Sequence, residues 1–478
     1  MKGSKALFSL AITIACPAIT FSLAVCAQAQ TLKTVGVFDG NDGYGVSAPV
    51  VQATDGNLYG TTSTGGFYYS GTLFRMTPTG EVTDLFNFCS EAKCANGSNP
   101  VSGPVLGIDG NLYGVVGSGG HDNSGIFYKS TLDGDFTTVY EFCATYPCTD
   151  GAGPNGIFLA SDGNFYGTTG GGGNASNGGT IFSISPTGQL KLLYTFCSIT
   201  PNCEDGESPD FAPVEGNDGN FYGVTLFGGT MSGGVLYELT STGTYSVLHD
   251  FCDAYTDGCN GSEPFYVVRD GNGNFFGTTA YGGNNKSGTV FELTSTGQYI
   301  VLYSFPIDNG PTWPYAGLML ASDGNIYGVS GGGRFNGGLI YKITQAGEYK
   351  TLHNFVTDNY GWEPTGPMSQ GTNGNLYGTT SYGPGEFFGS VFSLSYPGLS
   401  PIVETVPVAG PAGQTVLILG NGLTGSSSVT FNGVAAEFTV ESDTYIQATV
   451  PAGATTGAVS VVTPIGTLNS YPQFVVSK

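Results

Sequence analysis

Basic residues are scarce in this chain: 13 Lys and Arg stand against 36 Asp and Glu among 478 residues, a formal net charge of −23. A surface of that sign repels phosphates and anionic headgroups, which argues against nucleic acid as a partner. Histidine is equally thin, with 3 copies, and tryptophan has 2, so few side chains are available for acid–base chemistry or large stacking platforms. Beyond residue 25 no apolar run is long enough to span a bilayer, so no membrane span is expected in the mature chain. Abundance lies elsewhere. Glycine occurs 79 times, more than twice its ordinary share of roughly 7%. That excess argues against helices, while 40% hydrophobic and 13% aromatic residues are enough for a large core and argue against disorder.

Residues 1–29 read as an export signal. Lys2 and Lys5 begin it, an apolar run follows through Val25, and Ala27-Gln28-Ala29 supplies a small-x-small cleavage site. A retained anchor fits less well because Pro17 interrupts the run, and lipidation at Cys26 fits less well because Val25 is a poor residue before a lipidated Cys. The mature chain is therefore expected to be secreted, periplasmic or at the cell surface.

The dominant feature is an internal repeat. A phrase of Asp or Asn, Gly, Asn, an apolar residue, an aromatic and Gly recurs with its second Asn at Asn57, Asn111, Asn164, Asn220, Asn274, Asn325 and Asn375. Each copy holds four short β-runs joined by hairpin signals, and the Asp-Gly or Asn-Gly pairs predict two-residue type I′ turns. Aromatic slots recur too, at Phe74, Tyr128, Phe182, Tyr237, Phe291, Tyr341 and Phe392 in the third run. Four-stranded units of about 50 residues cannot bury both faces alone and must stack, as propeller blades do. The seventh copy ends after its third run, and residues 31–38 carry the missing fourth-strand pattern with Phe38 in its aromatic slot. The expected fold is thus all-β: a seven-bladed β-propeller over residues 30–400, closed by the N-terminal strand.

The repeated phrase resembles the bacterial GloVer tandem repeat, found in exported proteins, over residues 31–400. The resemblance implies a secreted or surface protein and transfers no activity residue by residue. Residues 401–478 lack both cysteine and the repeat phrase. Their β-runs and Gly/Pro turns, including Val429-Thr430-Phe431-Asn432-Gly433 and Gly410-Pro411-Ala412-Gly413, resemble an IPT/TIG domain. That resemblance implies an immunoglobulin-like sandwich used as a spacer or interaction module.

Eight cysteines remain after the signal, in four close pairs: Cys89/Cys94, Cys143/Cys148, Cys197/Cys203 and Cys252/Cys259. Each pair sits between the fourth run of one copy and the first of the next. In an exported chain this predicts four local disulfides. Zinc would need four converging ligands, and no His accompanies any pair. Asp270-Gly271-Asn272-Gly273-Asn274 lacks the distal Glu of a calcium loop and lies on the turn slot. Neither a metal nor a cofactor is expected.

Residues that break a repeat are the better functional candidates. His249 and His353 fail that test, since they fill a slot held elsewhere by Phe86, Tyr140, Tyr194 and Tyr303, and His121 has no partner motif. The inter-repeat loops hold the non-repeated groups Asp205, Glu207, Asp257, Glu263, Asp308, Trp313, Asp358, Trp362 and Glu363. Tryptophan beside carboxylates suits stacking on sugar rings with hydrogen bonds to hydroxyls, whereas packing on a Pro-rich loop is the structural alternative. The expected function is non-catalytic binding of an extracellular glycan or a cell-surface protein. A polysaccharide hydrolase or lyase using two of these acids, and a purely structural surface protein, are the alternatives.

Overall fold

The computed structural model describes residues 30–46, 48–199, 202–254, 256, 258–306, 314, 316–331, 337–356, 361–364, 366–384 and 388–477. The expected export signal lies outside the described residues. The chain is all-β. Among the described residues of the repeat region there are seven four-stranded antiparallel sheets. The first comprises Val51–Gln52, Leu58–Thr62, Thr72–Met76 and Val82–Asn87 in consecutive order. Five more follow the same order, and the seventh joins Ser369–Gln370, Leu376–Thr380 and Ser390–Ser395 to the N-terminal strand Thr31–Val37. That strand runs antiparallel to the third strand of its sheet, from Thr31 opposite Ser395 to Val37 opposite Ser390.

Sequence dictates this sheet through a close approach of glycine and aromatic. In every copy the Gly of the repeated phrase lies opposite the third-strand aromatic, Gly60 opposite Phe74 and Gly223 opposite Tyr237. A Cβ on Gly60 would sit 2.5 Å from the Phe74 ring, and one on Gly223 would sit 2.3 Å from the Tyr237 hydroxyl. The rings therefore lie flat across the neighbouring strand, and no other residue fits beneath them.

The turn after the first strand is not the expected type I′. Gly56 has φ +80°, but Asp55 is not left-handed, and the same holds for the corresponding pairs in all seven copies. Ala53 and Asn57 close a three-residue loop, with the Ala53 N–H on the Asn57 carbonyl and the Gly56 N–H on the Ala53 carbonyl. This is a type I turn followed by a left-handed Gly. Asp55 is required for its side chain instead: it accepts from the Asn57 N–H at 3.0 Å, the Asn57 amide at 2.7 Å and the Tyr59 hydroxyl at 2.8 Å. In the fifth copy an aspartate, Asp270, stands at the loop-closing position that Ala53 holds in the first, and takes the N–H groups of Asn272 and Asn274, both at 2.8 Å. Those bonds commit Asp270 to holding the turn.

Successive sheets share buried apolar clusters. Tyr59, Leu73 and Leu112 join the first two sheets, and the seventh meets the first through Phe38, Val50, Phe74, Tyr377 and Val391. Polar clasps follow the same path: Ser161 donates to Glu215, Ser322 to Gln370, and the Thr372 N–H to Gln52 at 3.0 Å, the last crossing from seventh sheet to first. The succession of contacts returns to its start.

The histidines in the fourth-strand slot are packed as the slot requires. His249 stacks on Tyr299 at 3.8 Å and 1°, as Phe86 does on Phe136 at 3.8 Å. Burial lowers the His249 pKa from its ordinary value, with Asp250 opposing weakly. The unfolded chain therefore takes up the proton first as pH falls through about 6.5, and stability is lost from there downward. Replacing His249 with Phe should flatten the decline of Tm between pH 7 and pH 5, read by circular dichroism. A decline as steep as in the wild type would show that the imidazole does not titrate this way.

Residues 404–476 fold into two further four-stranded sheets with a core of Val416, Ile418, Val429, Phe431, Ile446, Val459, Val461 and Phe474, plus a parallel pair of Ala409–Gly410 with Val475–Val476. The two sheets pack face to face as a sandwich. Among the described residues no helix is long and apolar enough to cross a membrane.

Candidate binding face

One side of the repeat region carries the loops between second and third strands together with the inter-repeat loops, and the two are stitched to each other. Tyr44 bridges Thr64, Ser98 bridges Ser118, Glu207 bridges Phe227 and Trp362 bridges Tyr382. The residue before the recurring proline then donates its N–H to the loop of the preceding sheet in four of the described copies: Asn99 to Ser70, Ser208 to Gly178, Glu263 to Gly233 and Glu363 to Gly337, at 2.7 to 3.0 Å. Glu263 and Glu363 therefore occupy one structural slot, each left-handed at φ +54°. Their backbones serve the repeat while their half-buried side chains remain variable. Burial pushes the Glu263 carboxyl upward.

All four disulfides are present: Cys89–Cys94, Cys143–Cys148, Cys197–Cys203 and Cys252–Cys259. Asp205 holds one of their loops. It is fully buried and accepts from the Tyr194 hydroxyl at 2.8 Å, the Ser198 N–H and hydroxyl at 2.9 and 2.7 Å, and the Ile199 N–H at 3.1 Å. Desolvation opposes its charge, but those bonds outweigh it and hold the carboxyl below its ordinary value. Asp150 does the same one repeat earlier, accepting from Tyr140 and from the Cys143 N–H. Each bridge spans only 5 to 7 residues, so chain entropy values each at about 2 kcal/mol. Reduction should leave the far-ultraviolet spectrum intact while lowering Tm and opening these loops to protease; a collapse of the spectrum would show that the sheets depend on the bridges.

Trp362 stacks on Tyr382 at 4.2 Å and 15°, and Tyr44 meets Tyr382 and Phe388 edge-on at 6.1 and 6.3 Å. This half-buried cluster lies where the seventh sheet meets the first. Trp313, Asp257, Asp308 and Asp358 lie outside the described residues. The most exposed aromatics on these loops were not singled out by the search for tryptophan and acids: Phe67, Tyr69 and Tyr146 are 78%, 82% and 85% exposed. A signal existed, because Phe67-Tyr68-Tyr69 fills a loop that in other copies reads His121-Asp122-Asn123 or Asn174-Ala175-Ser176.

A second group lies where the inter-repeat loops turn into the innermost strands. In the third and fifth sheets that strand is 8 residues long, against 2 or 3 elsewhere among the described sheets. Each long strand has a bulge, which leaves Asn155 and Tyr266 as the extra residues. Between them, in the loop that enters the fourth sheet, stand Asp210 and Phe211. Phe211 packs on Tyr266 at 4.0 Å, tilted by 35°, and meets Phe265 at 5.3 Å. Burial alone pushes the Asp210 carboxyl up to about 6.

The opposite side, which carries the hairpin turns, is contacted by the C-terminal sandwich. The Ile402 N–H donates to the Thr372 carbonyl at 3.0 Å, Asn421 to the Thr372 hydroxyl and the Thr444 hydroxyl to the Thr54 carbonyl. Glu404, Tyr471 and Pro472 meet the ends of the innermost strands at Val51, Val105, Leu320 and Gln370 around a space of about 310 Å³. Desolvation there pushes Glu404 up to about 7. A larger cleft of about 1030 Å³ separates Pro411–Gln414 from the turns of the third and fourth sheets.

The profile described as the Gloeobacter/Verrucomicrobia repeat matches residues 18–210 and 209–436, and that of the IPT/TIG domain matches residues 401–476. No curated protein matches the chain. Among solved structures, the chain is similar to one described as the extracellular domain of a hybrid two-component system from B. thetaiotaomicron, at 11% identity and TM-score 0.48, covering 94% of this chain and 59% of that one. It is also similar to a PQQ-bound aldose sugar dehydrogenase from Streptomyces coelicolor, at 14% identity and TM-score 0.40, covering 77% and 99%. TolB from Acinetobacter baumannii follows at 15% identity and TM-score 0.37, covering 63% and 61%. At such identities and scores none of them assigns an activity.

Proposed function

Since the chain belongs to the Gloeobacter/Verrucomicrobia repeat family and ends in an IPT/TIG domain, we propose that it is an exported, non-catalytic binding protein built as a seven-bladed β-propeller. In this reading residues 1–29 direct export, residues 30–400 form the propeller closed by the N-terminal strand, and residues 401–478 act as spacer or attachment. Four disulfides support an oxidising compartment outside the cytoplasm. The observation that carries the binding role is the asymmetry of the two sides: the sandwich packs against the hairpin-turn side, whereas among the described residues the sandwich does not reach the loop side, which bears exposed aromatics. A ligand therefore has the loop side to dock on, and rings beside hydroxyl, amide and carboxyl groups suit a glycan.

The test is retention of residues 30–478 on a panel of immobilised neutral polysaccharides. Saturable retention, weakened by Trp362→Ala, is the expected result. A blank panel would contradict the glycan reading and favour a protein partner or a structural role.

A further inference from the structure

We infer that Asn155, Asp210, Phe211 and Tyr266, brought together from the third, fourth and fifth sheets, form a binding site for one sugar unit of a neutral glycan. The inference rests on the proposed glycan-binding role and gives it a location distinct from the tryptophan loops.

Three independent observations converge on these residues. The first is the departure from the repeat. Among the described residues only the third and fifth sheets lengthen and bulge their first strands, and the bulged residues are Asn155 and Tyr266. A bulge spoils two ladder hydrogen bonds and is kept where it re-aims a side chain. Tyr266 is left-handed at φ +41°, a conformation unfavourable for any residue but Gly and costing about 1 kcal/mol or more.

The second is a half-buried carboxyl with no partner among the described residues. Asp210 makes no hydrogen bond or ion pair among the described residues, and burial is the sole cause acting on its carboxyl. Asp205 and Glu215, by contrast, are committed to neighbouring donors. Asn155 donates from Nδ2 to the Pro209 carbonyl at 3.2 Å, which leaves its Oδ1 as an acceptor. A Cβ built on Gly170 would lie 3.1 Å from Asn155 Nδ2 and 3.7 Å from Asp210 Oδ1, so the amide and the carboxyl flank one side-chain-free patch of backbone. Two adjacent acceptors suit the paired hydroxyls of a sugar ring.

The third is the apolar wall. The Phe211 and Tyr266 rings lie 4.0 Å apart, tilted by 35°, and the Tyr266 ring lies against Gly317 at the entry to the sixth sheet, where a Cβ would meet it at 2.6 Å. A C–H face of a pyranose packs on such rings while its hydroxyls reach polar neighbours. No Lys, Arg or His belongs to the group, which disfavours an anionic sugar.

The test uses residues 30–478 and short cello-, xylo-, manno-, malto- and chito-oligosaccharides in isothermal titration. Asp210→Asn keeps shape and removes the charged acceptor, and Asn155→Ala removes the amide. Each should weaken binding about tenfold to a hundredfold, as loss of a charge-assisted hydrogen bond does, while Tm stays within about 2 °C of wild type. Unchanged affinity in folded Asp210→Asn, with loss in Trp362→Ala, would overturn this site and leave the glycan role standing. Binding of no oligosaccharide would overturn both, and preference for an alkylammonium ligand lost in Asp210→Asn would overturn the sugar assignment.

Discussion

Deleting residues 31–38 is expected to unfold the whole seven-sheet unit rather than fray one sheet. The strand supplies the outer edge of the seventh sheet, and its residues reach both sides of the seam: Leu32 packs on the cluster of the sixth and seventh sheets, while Val35 and Phe38 pack on the cluster shared with the first. Phe38 is buried and meets Phe74 edge-on at 4.8 Å. Full burial of such a side chain contributes roughly 1.5 to 3 kcal/mol, so buried Phe38 with half-buried Leu32 and Val35 supplies a sizeable share of the roughly 5 to 15 kcal/mol that stabilises a typical domain. The loss also bares the third strand of the seventh sheet as an unpaired edge. Size-exclusion chromatography and a thermal melt decide the matter. Aggregation or loss of the cooperative transition is the expected outcome, with recovery when a peptide of residues 30–40 is added. A truncated chain melting within a few degrees of the intact one would mean that the strand is decoration.

Gly223→Ala should be the most damaging small substitution in the fourth sheet. The new methyl would lie 2.3 Å from the Tyr237 hydroxyl and 2.5 Å from its Cζ, and that ring is fully buried with neighbours on every side. Overpacking of this kind costs about 1 to 3 kcal/mol. The mechanism is separable from loss of backbone freedom: Tyr237→Leu shortens the ring and should relieve part of the clash, so the double variant should be less unstable than the two single losses added. Additive losses from chemical denaturation would count against the contact. Gly219→Ala is a control, because nothing lies within 4 Å of its added Cβ although its φ of +79° still carries strain.

The first of these expectations comes from features legible in the sequence, whereas the contact of Gly223 with Tyr237 does not. The repeat period exposed seven units, the unfilled fourth strand of the last unit pointed to residues 31–38, and the equivalence of His249 with Phe86 and Tyr303 marked it as packing. Close pairs of cysteines in equivalent loops sufficed for the disulfides. The turn type was misread because Asp-Gly permits two left-handed residues without requiring them; the Asp55 side chain instead caps the loop. The acids were only partly legible. Asp205 looked like a departure from the repeat, yet Asp150 fills the same role with the spacing to its tyrosine shifted by one residue. Glu263 and Glu363 share a backbone slot with Asn99 and Ser208, an equivalence visible only once the prolines that follow them are aligned. Asn155, Asp210 and Tyr266 escaped altogether, because about 55 residues separate each from the next and a bulge leaves no mark in the hydrophobic pattern.

The account places ligand binding on the loop side, with the sugar unit at the third, fourth and fifth sheets. Hydrogen exchange of residues 30–478, measured with and without the oligosaccharide that the titrations identify, tests that directly. Slowed exchange at residues 209–212 and 262–267 and in the loops around Tyr69 and Trp362 is the predicted result. Protection confined to residues 401–477 or to the hairpin turns beneath them would contradict it.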